Sequence, residues 1–266
     1  MKTAEPTITV SGMPKVRAIE RAVAILRAFH PRHPKMTLTE IAQATGLDKA
    51  TATRILGTLI ACDMVAHDTI SRKYWLGFDV LSLAASVPGQ HDLHQIADPI
   101  LRDVSIRTEC LTFLATVGKS GAVCVARAVI DPPVQVQLWN IGEVRPYNQG
   151  AGPKLLLANM KRELQEAYLA NELPSANSMT ITDSRELLDI LEKLRGQDMA
   201  FSRDDISEGL SAQAHTIRNQ DGDVTAVISV VGLNPLFSDE GRQTIGQVLA
   251  EAAVLLSRRL SVSGLL

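Results

Sequence analysis

Lys49, Ala50, Thr51, Thr53 and Arg54 lie within six residues and combine short side chains with two cations. On the outer face of a helix start, that set suits insertion into the major groove of double-stranded DNA, where small residues permit close approach and cations meet base edges. Asp48 is the only acid beside them, and a helix N-cap uses it. Arg72 and Lys73 follow around a polar turn. There they would touch phosphate or the minor groove, adding affinity but little sequence information. A third stretch, Gly150-Ala151-Gly152-Pro153-Lys154, is glycine-rich and opens an apolar segment, so its amides can receive a carboxylate or phosphate. It is too short for a nucleotide-binding loop.

The remaining candidates read as structure. His91 and His94 share a helix face at i, i+3 and admit a metal in principle, but no nearby Cys or Glu completes a site. Cys110 and Cys124 read as core thiols on neighbouring strands. Trp139 and Tyr147 are open between ligand contact and core packing. Nucleophile elbow, Walker loop and dinucleotide fingerprint are all missing from the sequence. These readings lead us to expect no catalytic residue, no cofactor and no metal, hence a protein that is not an enzyme.

Those side chains need elements to hold them. Ile19, Ala22, Val23 and Leu26 fall at helical spacing, and Pro31 and Pro34 stop that helix. T-L-T-E at 37–40 is a capping box opening a second helix, which ends at Thr45-Gly46. A third starts behind Asp48 and buries Ala52, Ile55, Leu56 and Leu59. That leaves Lys49, Ala50, Thr53 and Arg54 outward and Thr51 at the edge. Ala42 and Gly46 supply the small contact and the tight turn of a helix-turn-helix. Met64 to His67 and Lys73 to Leu76 form a hairpin, or wing, and Phe78 to Val87 a linker helix broken at Pro88-Gly89. Beyond it we expect a helix from His91 to Thr108, then strands at Leu111 to Val117, Val123 to Val129 and Val134 to Trp139. Three helices (152–160, 161–170, 184–195) follow. Strands at 212–217 and 224–232 flank the hairpin signal NQDGD, and a long helix runs from Ser238 to about Leu260. The expected class is α+β: 1–15 a flexible tail, 16–77 a winged helix-turn-helix, 78–90 the linker and 91–266 a second domain.

Composition agrees. With 266 residues, 45% hydrophobic and 21% charged, the chain is a folded, soluble protein of about two domains, neither disordered nor low in complexity. The net charge of −2 conceals an asymmetry: residues 1–77 carry eleven Lys and Arg against six acids, the remainder sixteen against twenty-three. A basic head on an acidic body fits a polyanion-binding module. No apolar run reaches about 18 residues, the amino end lacks a signal peptide, and three cysteines make no disulfide framework. The expected setting is the cytoplasm, without membrane contact.

Several segments resemble, in order, those of the IclR family of bacterial transcriptional regulators. These are IERAVAILRAF, TLTEIAQATGLDKATATRILGTL and KYWLG, then GAGPKLLLA, DISEGLSAQAHTI and GDVTAVISVVG. The last three are similar to the family's TALGKALLA-, EGVRCIAAPV- and GRVVAALSVSG-like segments. The resemblance covers nearly the whole chain from Val16. It implies a winged helix-turn-helix, a linker helix and an effector-binding domain with a GAF-like antiparallel sheet, assembled as dimers or dimers of dimers on operator DNA. By the same resemblance, the amides at Gly150, Ala151 and Gly152, with Ser202, Ala212, Ser229 and Val231, line a pocket for small carboxylates. The chain departs from the family where Ala212 replaces a common Cys and Val231 a second Ser. A pocket short of two polar groups leaves extra hydroxyls of a small oxygenated acid unpaired, at roughly 1–3 kcal/mol each. The expected effector is therefore an organic acid with an apolar or aromatic body. The competing class is a small-molecule-binding protein or enzyme with a helical amino-terminal interaction module, and a gel shift on operator DNA separates the two.

Overall fold

A computed structural model describes residues 16–30, 33–87, 90–129 and 139–262, with the side chains of 90–92 and 262 left out. The chain divides into two compact units at Val87/Pro88. Pro31 lies outside the described residues, as does the expected strand at Val134 to Trp139 apart from Trp139 itself.

The first unit is three helices and a small sheet. Helix α1 (Arg17–Ala28) packs on α2 (Leu38–Thr45) and α3 (Lys49–Ala61) through Ile25, Ile41, Ala52 and Leu56, all essentially excluded from solvent. The capping box forms. The Thr37 hydroxyl accepts the Glu40 amide at 3.4 Å, and the Glu40 carboxylate accepts the Thr37 amide at 2.7 Å. Gly46 ends α2 in the left-handed conformation (φ +67°), which turns the chain into α3 without a Cβ penalty. Strands β1 (Met36–Thr37), β2 (Val65–Asp68) and β3 (Lys73–Leu76) form an antiparallel sheet in the order β1-β3-β2. The wing is therefore anchored by a short strand ahead of α2. Helix α4 (Asp79–Ala85) follows and buries none of its residues.

The second unit is built on a six-stranded antiparallel sheet. Its strands are β4 (Leu111–Val117), β5 (Ala122–Ala128), β6 (Val144–Arg145), β7 (Met199–Arg203), β8 (Leu210–Arg218) and β9 (Val224–Leu233), ordered β6-β5-β4-β9-β8-β7. One face carries α5 (Gln90–Thr108) and α9 (Asp239–Val262), packed through Leu101, Ile228, Val230, Leu249 and Leu256. The other face carries α6 (Ala151–Ala158), followed by α7 (Arg162–Leu169), with α8 (Ser184–Leu194) packed against α6. Strands β6 and β7, one at each edge of this sheet, are not predicted by sequence pattern alone, and neither is β1 of the first unit. The expected β8, at 212–217, is also longer than its apolar alternation suggested.

Candidate DNA interface and effector pocket

The exposed face of α3 comes from its helical period. Burying Ala52, Leu56 and Leu59 turns Lys49, Ala50, Thr53 and Arg54 fully outward and leaves Thr51 half-buried. Asp48 caps the helix by accepting the Thr51 amide at 2.8 Å, and its second oxygen takes the Thr51 hydroxyl, also at 2.8 Å. The Thr53 hydroxyl donates back to the Lys49 carbonyl at 2.7 Å. Two of the five helix residues thus have their hydroxyl protons engaged within the helix, and Lys49 and Arg54 carry the free charge of this face. At the wing, Asp68 receives the Ile70 and Ser71 amides and closes the turn, with Arg72 in a left-handed conformation (φ +54°). Arg72, Lys73 and the tip residue Ile70 are all exposed.

In the second unit the strand register places the expected pocket residues together. Ser229 lies between Phe113 on β4 and Ala214 on β8, and Val231 between Leu111 and Ala212. Helix α6 crosses this face so closely that a Cβ at Gly152 would meet Val227 at 3.2 Å and Ser229 at 3.5 Å. Gly150, Ala151, Gly152, Ala212, Ser229 and Val231 line one small cavity with Phe113, Trp139, Arg145, Pro153 and Ile206. Its free volume is about 10 Å³, room for about one water. Ile206 packs closely on Gly150: its terminal methyl would lie 2.8 Å from a Cβ there, and Gly150 holds φ +87°.

Ser202 is placed differently. It pairs with Ala212 in register but lines a neighbouring cavity of about 290 Å³ beside Lys154 and Asp205, on the other side of Ala151. Its buried hydroxyl has no hydrogen-bond partner. The amides expected to receive a ligand are also not all open. The Gly150 amide donates to the Asp205 carboxylate at 2.9 Å, and the same oxygen accepts Lys154 Nζ at 2.5 Å. Asp205 is therefore a resident anion at the start of α6. Pro153 has no N–H, so Ala151 and Gly152 supply the remaining first-turn donors.

Arg145 is the site residue that the sequence reading missed. It is buried in the pocket wall with its guanidinium 4.9 Å from the centre of the Trp139 ring. Trp139 packs in turn on Phe113 at 5.8 Å and donates its indole N–H to the Glu143 carbonyl. Tyr147 lines a different cleft, together with Tyr168 and Gly118. Cys110 and Cys124 are buried free thiols, and burial pushes each up to about 12. His94 is exposed, the His91 side chain lies outside the described residues, and no metal-binding cluster occurs among the described residues. Among those residues, no helix is long and apolar enough to cross a membrane.

Comparison with known proteins agrees with this architecture. The IclR helix-turn-helix domain profile matches residues 18–69, and the profile named bacterial transcriptional regulator IclR C-terminal matches 85–258. The chain is 26% identical to the HTH-type transcriptional regulator KipR of Bacillus subtilis, over 92% of this chain and 98% of that one. A crystal structure of an IclR transcriptional regulator from a Silicibacter species superposes with a TM-score of 0.81 at 22% identity, over 92% of this chain and 96% of the other. An IclR homologue from Microbacterium hydrocarbonoxydans, complexed with 4-hydroxybenzoate, does so with 0.76 at 23% identity, over 92% and 99%. Helix-turn-helix, wing and two-faced antiparallel sheet thus occur here in the order and over the lengths of these regulators. The chain belongs to the IclR family, as a DNA-binding transcriptional regulator and not an enzyme.

Proposed function

We propose that this regulator senses a small organic acid with an apolar or aromatic body and adjusts its hold on operator DNA accordingly. The carrying observation is the buried Arg145 in a pocket whose walls include Phe113, Trp139, Ala212 and Val231. A guanidinium pairs bidentately with a carboxylate, and the aromatic and aliphatic walls favour a ring over a chain of hydroxyls. Ser229 and the Ala151 and Gly152 amides complete the acid's partners. Ser202 and Gly150 stand behind them, one in the adjacent cavity and the other engaged by Asp205. Binding requires this cavity of about 10 Å³ to widen. The complex of one relative with 4-hydroxybenzoate supports the same ligand class.

On the DNA side, residues 16–77 form the reading head and 78–90 the linker, with 91–266 as the effector-binding domain. Lys49, Ala50, Thr51, Thr53 and Arg54 enter the major groove, and Arg72 and Lys73 touch phosphate. One copy reads too few base pairs for useful specificity, so the working form is a homodimer or dimer of dimers. Exposed Val16 and Ile19 at the start of α1, with Phe78 and Leu81 around α4, give it apolar surface to bury.

Calorimetric titration tests the pocket. Benzoate-like acids should bind, Arg145→Gln should abolish that binding, and Val231→Ser should weaken it. Tight binding of pyruvate or glyoxylate without benzoate would overturn the assignment.

A further inference from the structure

Apart from the small Arg145 pocket on the floor of the sheet (the sheet-floor pocket), the second unit holds a cleft of about 700 Å³ between the β4–β5 turn and α7. Its size falls within the roughly 300–1,000 Å³ of small-molecule sites. Tyr147 and Tyr168 form its aromatic wall, edge to face with centroids 5.3 Å apart, and Met160 and Leu164 continue it. Both phenols are already bonded. Tyr147 donates to the Gly118 carbonyl at 2.7 Å and accepts the Gly118 amide at 3.1 Å, while Tyr168 donates to Asn148 Oδ1 at 2.8 Å. The rings therefore offer the cleft hydrocarbon rather than hydroxyl. Lys119 lines the cleft from the β4–β5 turn and Glu172 from beyond α7. These charges place an occupant's negative group beside Lys119, away from Glu172.

We propose that this cleft is a second ligand site, for an aromatic acid of about two fused rings, held between the tyrosine wall and Leu164 with its carboxylate at Lys119. The site is separate from the sheet-floor pocket but joined to it by covalent structure. Tyr147 leads in three residues to Gly150, and Asn148, held by Tyr168, also donates to the Pro174 and Ile181 carbonyls. An occupant pressing on the two tyrosines acts on the segment that presents the α6 amides. The site does not depend on the reading given to Arg145, and the test keeps the two apart.

The probe is 2-naphthoate, titrated calorimetrically into the full chain and three variants. Ala167→Trp fills the cleft from an exposed position on α7, and Lys119→Glu reverses the charge at an exposed turn. In Arg145→Gln, which removes benzoate-type binding at the sheet floor, naphthoate should still bind, and each of the other two changes added to it should weaken that binding about tenfold or more. An affinity unaltered by Ala167→Trp and Lys119→Glu, or a loss that follows Arg145→Gln instead, would overturn the assignment, as would no naphthoate binding by the parent chain. A change in assembly size with Ala167→Trp at constant naphthoate affinity would give the cleft to a second copy, and likewise overturns it.

Discussion

Replacing Asp205 by Ala removes the anion that holds both Lys154 and the Gly150 amide. Both side chains of the pair are only 7% exposed, so the substitution leaves a desolvated ammonium and an orphaned N–H. Breaking a buried pair costs about 3–5 kcal/mol, because the surviving charge loses its compensation. Here the neighbouring cavity of about 290 Å³ can admit water to the bared ammonium, which favours the lower end. We expect a loss of about 3 kcal/mol, or about 1.5 M in urea midpoint for a slope of about 2 kcal/mol/M. The double variant Lys154→Met/Asp205→Leu should recover most of it, to within about 1 kcal/mol of the parent, the remainder being the Gly150 amide. The chain has two tryptophans, Trp75 in the first unit and Trp139 in the second. A Trp75→Phe background therefore lets Trp139 fluorescence report the second unit alone during urea unfolding. A single variant costing under about 1 kcal/mol, or a double variant costing the sum of the singles, would show that the pair is not desolvated and does not hold α6 to the 205 loop.

Arg54→Ala should reduce discrimination between operator and random DNA. Lys73→Ala should weaken both alike and flatten the salt slope by about one unit, and equal losses on both DNAs for Arg54→Ala would contradict the groove assignment. Glu40 is held at about 2 by the Thr37 amide and hydroxyl and by His33, below its usual 4.5. Its stabilising contribution to α2 is therefore present above about pH 4.5 and lost as pH falls through about 2, and a carboxyl NMR titration centred near 4.5 would refute this. Iodoacetamide should modify one thiol of the native protein, the exposed Cys62, and all three after denaturation, since burial pushes Cys110 and Cys124 up to about 12. Rapid native modification of two or more would contradict the burial.

The parts legible in the sequence are those governed by local rules. The 3.6 period of α3 sorts buried from outward residues, T-L-T-E specifies a cap, and NQDGD specifies a hairpin. What escaped depends on distant partners. MAFSR does not read as a strand, because only Ala200 and Ser202 are fully buried and its pairing comes from β8. Arg145 sits in a two-residue strand whose place is set by Ala122 on β5, so spacing gave no hint that it enters the pocket. The amide run at 150–152 reads in sequence as able to receive an anion, but that Asp205 reaches Gly150 from 55 residues away does not. Ser202 shares a register with the pocket without sharing its cavity, because Ala151 stands between them.

The strand order has a bearing on how the chain acquires its shape. The central pair of the sheet joins β4 to β9, with Leu111 opposite Val231, so a segment made early must wait for almost the last strand synthesised. Contacts so distant in sequence form slowly, whereas the first unit holds its own core within 87 residues and can fold as it emerges. During synthesis a finished reading head therefore precedes a half-sheet whose β4 edge is unpaired and apolar, with Phe113 and Leu114 on it. Such an edge templates pairing with other chains. A message truncated between Arg218 and Val224 would yield a product prone to aggregate through β4, while the same truncation leaves every residue of the head intact.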